Sequence, residues 1–431
     1  MTRNEFASPL LGEQYTQIVH TSGLPIYVFP KHMSTTFAYF AVQYGSQDAA
    51  FYPADGTRKV TVPNGVAHFL EHKLFENEDG SDAFARFAEL GADANAYTSY
   101  DRTAYLFSCT EHVPEALEEL LRFVTAPHFT EASVKKERGI IAEEIRMYDD
   151  NPWERGFQNL LQALYHKHPV RISICGSQAS IQKITPKTLY ECYRAFYTPE
   201  HMVLVVCGNV TVEEVLRAVD TALPADFVSR GTVRRVRPEE PHTVVKAYVE
   251  ATMPVSKPIF HIGIKDNGTP DTAEARLRRD LSMTMLDEML FSRSGRFYND
   301  LFERGILTAS YSSGYSSGDD FAFHSLAGEA EDPAAVLEEL LRFLEELKQT
   351  GLSDEEFERC RRVLYADEIR AYDSTEEIAG RLLSFAMDGV ELFACPAIIQ
   401  SITKAEIEAL LAEQFEPDHF SLSVILPPSN T

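Results

Sequence analysis

Three short segments of this chain recur, in the same order, a little more than two hundred residues later. The offsets are 220, 224 and 218 residues. The pairs are Leu117–Val124 with Leu337–Leu344, Glu144–Asp149 with Glu368–Asp373, and Ile184–Thr185 with Ile402–Thr403. One such match can arise from helix composition, but three at a nearly constant offset indicate a duplication. The sequence therefore predicts two homologous halves, residues 1–228 and 245–431, joined at 229–244 by a linker rich in Pro, Arg and Glu.

Strand and helix signals alternate irregularly within each half. Leu24–Phe29 and Thr36–Val42 are rich in β-branched and aromatic residues, which predicts strands. Helical patterns occupy residues 81–90, 114–124 and 132–148, and a hairpin is expected around Asp101 and Arg102. Because strands and helices do not follow a strict one-to-one alternation, the pattern favours an α+β fold. The Ser- and Gly-rich run Ser310–Gly318 predicts a mobile connection.

The charge balance narrows the classes of partner. The chain carries a net charge of −25 and no long basic run, so binding to nucleic acid or to an anionic membrane is disfavoured. Its six cysteines form no CxxC pair, which argues against a disulfide framework and against a thiolate zinc site. The first residues lack the apolar run of a signal peptide, and no segment has the length of a membrane span. We therefore expect a cytoplasmic protein.

The five residues His68-Phe69-Leu70-Glu71-His72 form the chemically most informative motif. On a helix, His68 and His72 lie one turn apart on one face, as two ligands of a metal ion must. Glu71 beside them could take a proton from a metal-bound water. A shuffled chain of this composition would contain about 0.04 such patterns, so chance is a real alternative. No histidine occupies the corresponding stretch of the second half, which predicts one site per chain.

Two histidines leave a zinc ion short of its usual three protein ligands. The candidates for a third ligand lie on one predicted helix. Glu137 and Glu144 are seven residues apart and share a face, whereas Glu143 lies about 100° round the helix from Glu144. The alternative is that all three glutamates belong to a solvated charged face. The residues by themselves leave this choice open.

Three stretches together resemble the pitrilysin and insulinase superfamily of zinc peptidases, including its mitochondrial-processing-peptidase branch. They are HFLEH, ELGADANAYTSYDRTAYLFS and KERGIIAEEIRMYDDNP. The resemblance is dense over residues 60–210 and closest to bacterial members that form paired subunits. It implies two homologous α/β-sandwich halves, each a mainly antiparallel sheet packed with helices. It also implies one Zn²⁺ per chain, held by His68, His72 and Glu144, with Glu71 as catalytic base and Glu137 as auxiliary glutamate.

The same resemblance suggests how a peptide substrate binds. Four residues match the family stretch that forms a sheet edge beside the metal, where a peptide could add as an extra strand. They are Asn95, Ala96, Tyr97 and Thr98. An ordinary hairpin is the alternative. Phe75 either lines a pocket beside the scissile bond or belongs to the core.

One departure from the family pattern suggests that the chain needs a partner subunit. Active members carry an arginine and a tyrosine in a later stretch that matches Leu301–Tyr311, but Phe302 stands where the arginine is expected. We therefore expect a homologous subunit to supply this pair in a heterodimer, with a homodimer as the alternative. The predicted function is a zinc metalloendopeptidase acting on peptides or unfolded segments. The alternative is a non-catalytic or accessory subunit in the maturation or modification of a specific protein.

Overall fold

The computed structural model describes residues 1–78, 80–268 and 270–428. Its contacts divide the chain into two compact units, and each unit is discontinuous in sequence. Unit 1 contains residues 1–145, 173–237 and 369–393. Unit 2 contains residues 146–172 and 238–368, together with the chain from 394 onward. The division into duplicated halves at 228 and 245 concerns sequence homology and stays a prediction.

The elements, in chain order, have the following bounds. The strands are β1 Thr2–Ser8, β2 Glu13–Val19, β3 Pro25–Pro30, β4 Thr36–Val42, β5 Ala50–Tyr52, β6 Val60–Thr61, β7 Asp93–Thr98, β8 Thr103–Cys109, β9 Met202–Gly208, β10 Arg234–Arg235, β11 Tyr248–Thr252, β12 Ile259–Asp266, β13 Ser312–Ser317, β14 Ala322–Glu329 and β15 Phe420–Leu426. The helices are α1 Val66–Leu74, α2 Ala83–Glu89, α3 Val113–Thr125, α4 Glu131–Asp150, α5 Pro152–Leu164, α6 Gln178–Ile181, α7 Pro186–Phe196, α8 Val212–Ala222, α9 Ala273–Phe291, α10 Arg296–Glu303, α11 Pro333–Thr350, α12 Asp354–Arg370, α13 Thr375–Asp388, α14 Cys395–Ser401 and α15 Lys404–Gln414.

The main sheets of the two units share one topology. The sheet of unit 1 has the order β1-β2-β3-β9-β4-β8-β7, and the sheet of unit 2 has the order β11-β15-β12-β14-β13. In both, the first pair of the shared part is parallel (β3 with β9, β11 with β15) and the following pairs are antiparallel. The predicted fold class, two α/β halves with mainly antiparallel sheets, is confirmed.

The central strands of unit 1 are buried on both faces. Every residue of β4 and β9 is buried, and strand alternation sends Phe40 to one face and Tyr39 to the other. Phe40 belongs to a core shared with α1, α3, α7 and α8. Tyr39 belongs to a second core, in which Ile378 and Leu382 of α13 cover the opposite face. Helix α13 therefore shields this sheet although it lies more than 160 residues beyond β9 in the chain.

In unit 2, helix α5 covers the sheet. Its Leu160 and Leu164 lie over Gly263 of β12, where a Cβ atom would stand 2.8 to 3.0 Å from their methyl groups. The Ser423 hydroxyl of β15 donates a hydrogen bond of 2.8 Å to the Gly156 carbonyl. A glycine in this central strand thus permits close contact between helix and sheet.

The local predictions agree with the structure in most places. The hairpin around Asp101 and Arg102 is formed by β7 and β8, and the helix expected at 132–148 is α4. The prediction for Ser310–Gly318 was wrong. Residues 312–317 of that run form β13, which pairs with β14, because cross-strand backbone hydrogen bonds outweigh the weak strand preference of Ser and Gly.

The helices were compared with the length and apolar character that a membrane span requires. Among the described residues, no single helix is long and apolar enough to cross a membrane. The bent pair Thr375–Asp388 and Leu392–Ser401 passes this test, by length and composition only.

Candidate metal centre

The HFLEH motif lies on helix α1, which starts at an unusually close contact between two backbone segments. Gly65 precedes the helix with φ of 90°, and a Cβ there would lie 2.4 Å from the Cys175 carbonyl oxygen. Gly176 also has a positive φ, and its Cβ would lie 2.5 Å from the Asn64 carbonyl oxygen. Only glycine fits both positions. The contact fixes the start of α1 against the segment around residue 175.

Three donor groups from two helices meet beside α1. His68 and His72 project from α1, and Glu144 of α4 faces them; these residues form the group within the described chain that could hold a metal ion. One Glu144 oxygen lies 3.5 Å from His68 Nε2, and the other lies 3.6 Å from His72 Nε2. Tetrahedral zinc with bonds of about 2.1 Å separates its ligand atoms by roughly 3.4 Å. The donor set and its spacing therefore fit zinc.

Glu137 lies seven residues, about two helical turns, before Glu144 and contacts the other side of the imidazole of His72. Its carboxylate oxygen is 3.1 Å from His72 Nδ1. Burial lowers the pKa of His72, but the hydrogen bond to Glu137 and the carboxylates of Glu71 and Glu144 outweigh it, so the pKa is raised overall. A carboxylate on Nδ1 directs Nε2 toward the metal position and increases its basicity.

Glu71 occupies a protected position in the same site. Its side chain is only 7% exposed, and one carboxylate oxygen accepts a hydrogen bond of 2.6 Å from the Thr98 hydroxyl. Thr98 is the last residue of β7 and pairs with Thr103 across the hairpin. The sequence motif gave no sign of this contact, because it joins two segments that are separate in the chain.

The predicted substrate residues lie on β7 and just after α1. In the described sheet order, β7 is the outermost strand, which agrees with the edge expected for Asn95–Thr98. Ala96 and Thr98 are partly buried, whereas Asn95 and Tyr97 are exposed. The Tyr97 ring contacts Tyr39 on the face that α13 covers. Alternation along the strand therefore leaves Tyr97 on the face opposite Thr98.

Phe75 is buried in the core. It stacks on Phe84 at 4.3 Å and on Phe123 at 4.9 Å between ring centroids. This position favours the packing role that its aromatic character left open, since a ring held between two others offers little surface to a substrate.

Two further features of the site could not be read from the motif. Cys175 is buried, and its sulfur lies 3.9 Å from His68 Nε2. Burial, with the carboxylates of Glu144 and Glu71, raises the pKa of the Cys175 thiol to about 12. Glu143, the competing candidate ligand, is exposed, and it lies outside the donor group within the described residues.

The later stretch that was compared with the arginine and tyrosine of the family lies in unit 2. Phe302 is 46% exposed and stacks on Tyr298. The Tyr311 hydroxyl is buried and donates to the Phe291 carbonyl at 2.9 Å. Arg304 is exposed and pairs with Asp300 at 2.8 Å. Tyr311 therefore packs in the core of unit 2, with its hydroxyl bonded to the backbone.

Comparison with known proteins identifies the family. The profile of Insulinase (Peptidase family M16) matches residues 60–178, and that of the Peptidase M16 inactive domain matches residues 183–364. This chain belongs to the M16 family. The first profile covers both histidines and all the glutamates of the candidate centre, whereas the second covers most of unit 2.

Several relatives of this M16 protein are named as proteases or peptidases. It is 36% identical over 411 residues to the uncharacterized zinc protease YmfH of Bacillus subtilis, covering 95% of this chain and 96% of the relative. It is 28% identical over 193 residues, 42% of each chain, to the probable mitochondrial-processing peptidase subunit beta of Schizosaccharomyces pombe. A solved M16-like peptidase from Alicyclobacillus acidocaldarius superposes with a TM-score of 0.93 and 32% identity, covering 98% of this chain and 100% of the other. These relatives support a metalloprotease and imply zinc in the family.

Proposed function

We propose that this chain is a zinc-dependent metallopeptidase that hydrolyses peptides or unfolded polypeptide segments. The observation that carries the proposal is the convergence of His68, His72 and Glu144 at ligand spacing, with the protected carboxylate of Glu71 on the same helix as the histidines. Three protein ligands leave one coordination position open, which is typical of catalytic rather than structural zinc.

The residues of the chain have distinct tasks in this reaction. Bound zinc supplies Lewis-acid chemistry, which polarises a peptide carbonyl and acidifies water. Glu71 accepts a proton from the attacking water as the new C–O bond forms, and it delivers that proton to the leaving nitrogen as the C–N bond breaks. Glu137 holds the ring of His72 through Nδ1. Glu71 already has one oxygen occupied by Thr98, so its other oxygen carries the proton.

Strand addition at β7 is the substrate-binding mode that the site favours. Backbone hydrogen bonds to an edge strand accept many sequences, which suits a peptidase of broad specificity. Ala96 and Thr98 lie on the face of α1, while Asn95 and Tyr97 would contribute through the backbone. An extended chain on β7 therefore runs beside the helix that carries the motif.

We further propose that the active form is a pair of subunits. Phe302 replaces the expected arginine, and the Tyr311 hydroxyl is bonded within the core of unit 2. A homologous chain that carries the arginine and tyrosine would complete substrate binding. The activity of this chain should then rise at least tenfold when such a homologue is co-expressed, as measured by cleavage of an unstructured fluorogenic peptide.

The central test compares wild type with Glu71→Gln and with the matched control Glu143→Gln, each purified alone and with the homologue. Two quantities are measured for each protein: its zinc content, by atomic absorption, and its rate of peptide cleavage. We expect one zinc per chain in all three proteins. Activity should fall by about 10²- to 10⁴-fold in Glu71→Gln, as for loss of a general base, and stay at the wild-type level in Glu143→Gln.

Two results would contradict the proposal. Unchanged cleavage by Glu71→Gln would remove the assigned base. Zinc-loaded protein that cleaves nothing, with or without the homologue, would favour the accessory-subunit alternative, in which the fold takes part in maturation of another protein.

A further inference from the structure

We infer that Thr98 is a positioning residue for Glu71, so that the substrate-binding edge strand itself holds the catalytic base. This inference rests on the proposed function. It assigns the hydroxyl of Thr98 a role beyond contact with substrate, because that hydroxyl joins β7 to α1 at the carboxylate that moves the proton.

The contact is short and shielded. The Thr98 hydroxyl lies 2.6 Å from Glu71 Oε2, within the range of O–H bonds to an ionised carboxylate. Glu71 is buried, so little water competes for that oxygen. Such charge-assisted bonds are roughly twice as strong as bonds between neutral groups.

In this hydrogen bond the Thr98 hydroxyl is the donor and the Glu71 carboxylate is the acceptor. Thr103 Oγ1 donates to the Tyr44 carbonyl at 2.9 Å, which uses its single proton. Thr98 Oγ1 lies 3.4 Å from Thr103 Oγ1 and 2.6 Å from Glu71. Since a carboxylate can only accept, the proton of Thr98 points to Glu71. Glu71 Oε2 is thereby fixed, and Oε1 is left to exchange a proton with water and with the leaving group.

The arrangement couples substrate binding to the base. Thr98 ends β7, and the same strand offers its outer edge to an added peptide. A peptide that pairs with β7 would lie along the strand that ends in Thr98, and Thr98 sets the rotamer of Glu71. The base is therefore positioned by the same strand to which the substrate would add. Loss of the hydroxyl should lower kcat more than it raises KM.

The test uses the zinc-loaded full chain with its homologue and three variants. Thr98→Val keeps the shape and removes the donor, and Thr98→Ser restores the donor. Thr16→Val is a matched control, since Thr16 is a buried threonine of β2 in the same sheet. We expect Thr98→Val to lower kcat by about tenfold to a hundredfold, with zinc content and KM near wild type. Thr98→Ser should stay within about threefold of wild type, as should Thr16→Val.

The outcomes separate this inference from the proposed function. Wild-type kcat in Thr98→Val, beside an inactive Glu71→Gln, overturns the positioning role and keeps the peptidase. Equal loss in Thr98→Ser and Thr98→Val also overturns it. A crystal structure of zinc-loaded Thr98→Val gives a readout without activity: the Glu71 carboxylate should leave its wild-type rotamer, and an unmoved carboxylate counts against the inference.

Discussion

In unit 1, Glu71, Glu137 and Glu144 surround two histidines beside α1, whereas in unit 2 Asp287 and Glu288, in the stretch opposite the motif, each have a basic partner. Asp287 of α9 lies 2.9 Å from His324 Nδ1. Glu288, also of α9, lies 3.5 Å from Arg359. The five strands common to both sheets share order and orientation, so the difference at this place lies in side chains rather than in strand topology.

This difference distinguishes the candidate metal centre of unit 1 from the equivalent region of unit 2. Three carboxylates against two imidazoles leave negative charge in a largely buried place, and such charge is costly unless a cation compensates it. The pairing of Asp287 and Glu288 in unit 2 removes that need. The same strand order thus accompanies candidate metal ligands in unit 1 and ion pairs in unit 2.

The largest expected effect is a loss of bound zinc when the proposed third ligand, but not its counterpart in unit 2, is replaced by glutamine. Glu144 of α4 corresponds to Glu368 of α12 in the duplicated segments, and Glu368 is buried. Glu144→Gln removes an ionised ligand, so we expect zinc content after dialysis to fall below about a tenth of wild type, with loss of activity. Glu368→Gln should retain the metal. Equal zinc in both variants, measured by atomic absorption, would break the comparison.

The next effect concerns the residue behind the ligand. Glu137→Gln weakens the hold on His72 without removing a donor atom. Outer partners of this kind typically contribute 10- to 100-fold to metal affinity, and we expect a loss in that range by competition with a chelator. Arg361 is the counterpart of Glu137 at the offset of 224 residues, and Arg361→Gln serves as control. An affinity unaltered in Glu137→Gln would leave that glutamate without the assigned role.

A smaller effect is expected in unit 2, on stability and not on metal. Asp287→Ala leaves the buried Nδ1 of His324 without its acceptor. An unsatisfied buried polar group costs about 1–3 kcal/mol, and the free energy of unfolding in urea should fall by that amount. Zinc content should be unchanged. If Asp287→Ala released zinc, the two regions would not be independent in the way we describe.

The last expected effect is a gradual dependence of stability on pH, which each unit should show through one buried histidine. Burial, and in His201 also Arg235, lowers the pKa of His201 in unit 1 and of His261 in unit 2 to about 4. The unfolded chain binds protons near pH 6.5, before the folded protein does, so stability is full above that pH and falls toward pH 4. Replacing His261 with Gln should reduce the slope of unfolding free energy by at most about 1.4 kcal/mol per pH unit. An unaltered slope in urea titrations would contradict the assignment.

Much of the fold follows from local sequence signals. The β-branched and aromatic residues of Thr36–Val42 and the turn at Asp101 and Arg102 are local signals, and they agree with β4 and with the β7–β8 hairpin. The run Ser310–Gly318 failed because a strand of weak preference forms only when a neighbouring strand supplies hydrogen bonds. The position of α13 on the sheet of unit 1 also depends on contacts distant in sequence.

The sequence by itself determined that His68 and His72 share a helix face beside the base candidate Glu71, and it predicted the duplication, because helix periodicity and repeat offsets are properties of the chain. From the residues alone it left open which of Glu137, Glu143 and Glu144 meets the histidines, since spacing along a helix defines a face but not what that face meets. The tertiary structure brought Glu144 to the histidines, exposed Glu143 and placed the Thr98 hydroxyl on Glu71. These contacts join separate segments, and only packing of α1, α4 and β7 around one core decides them.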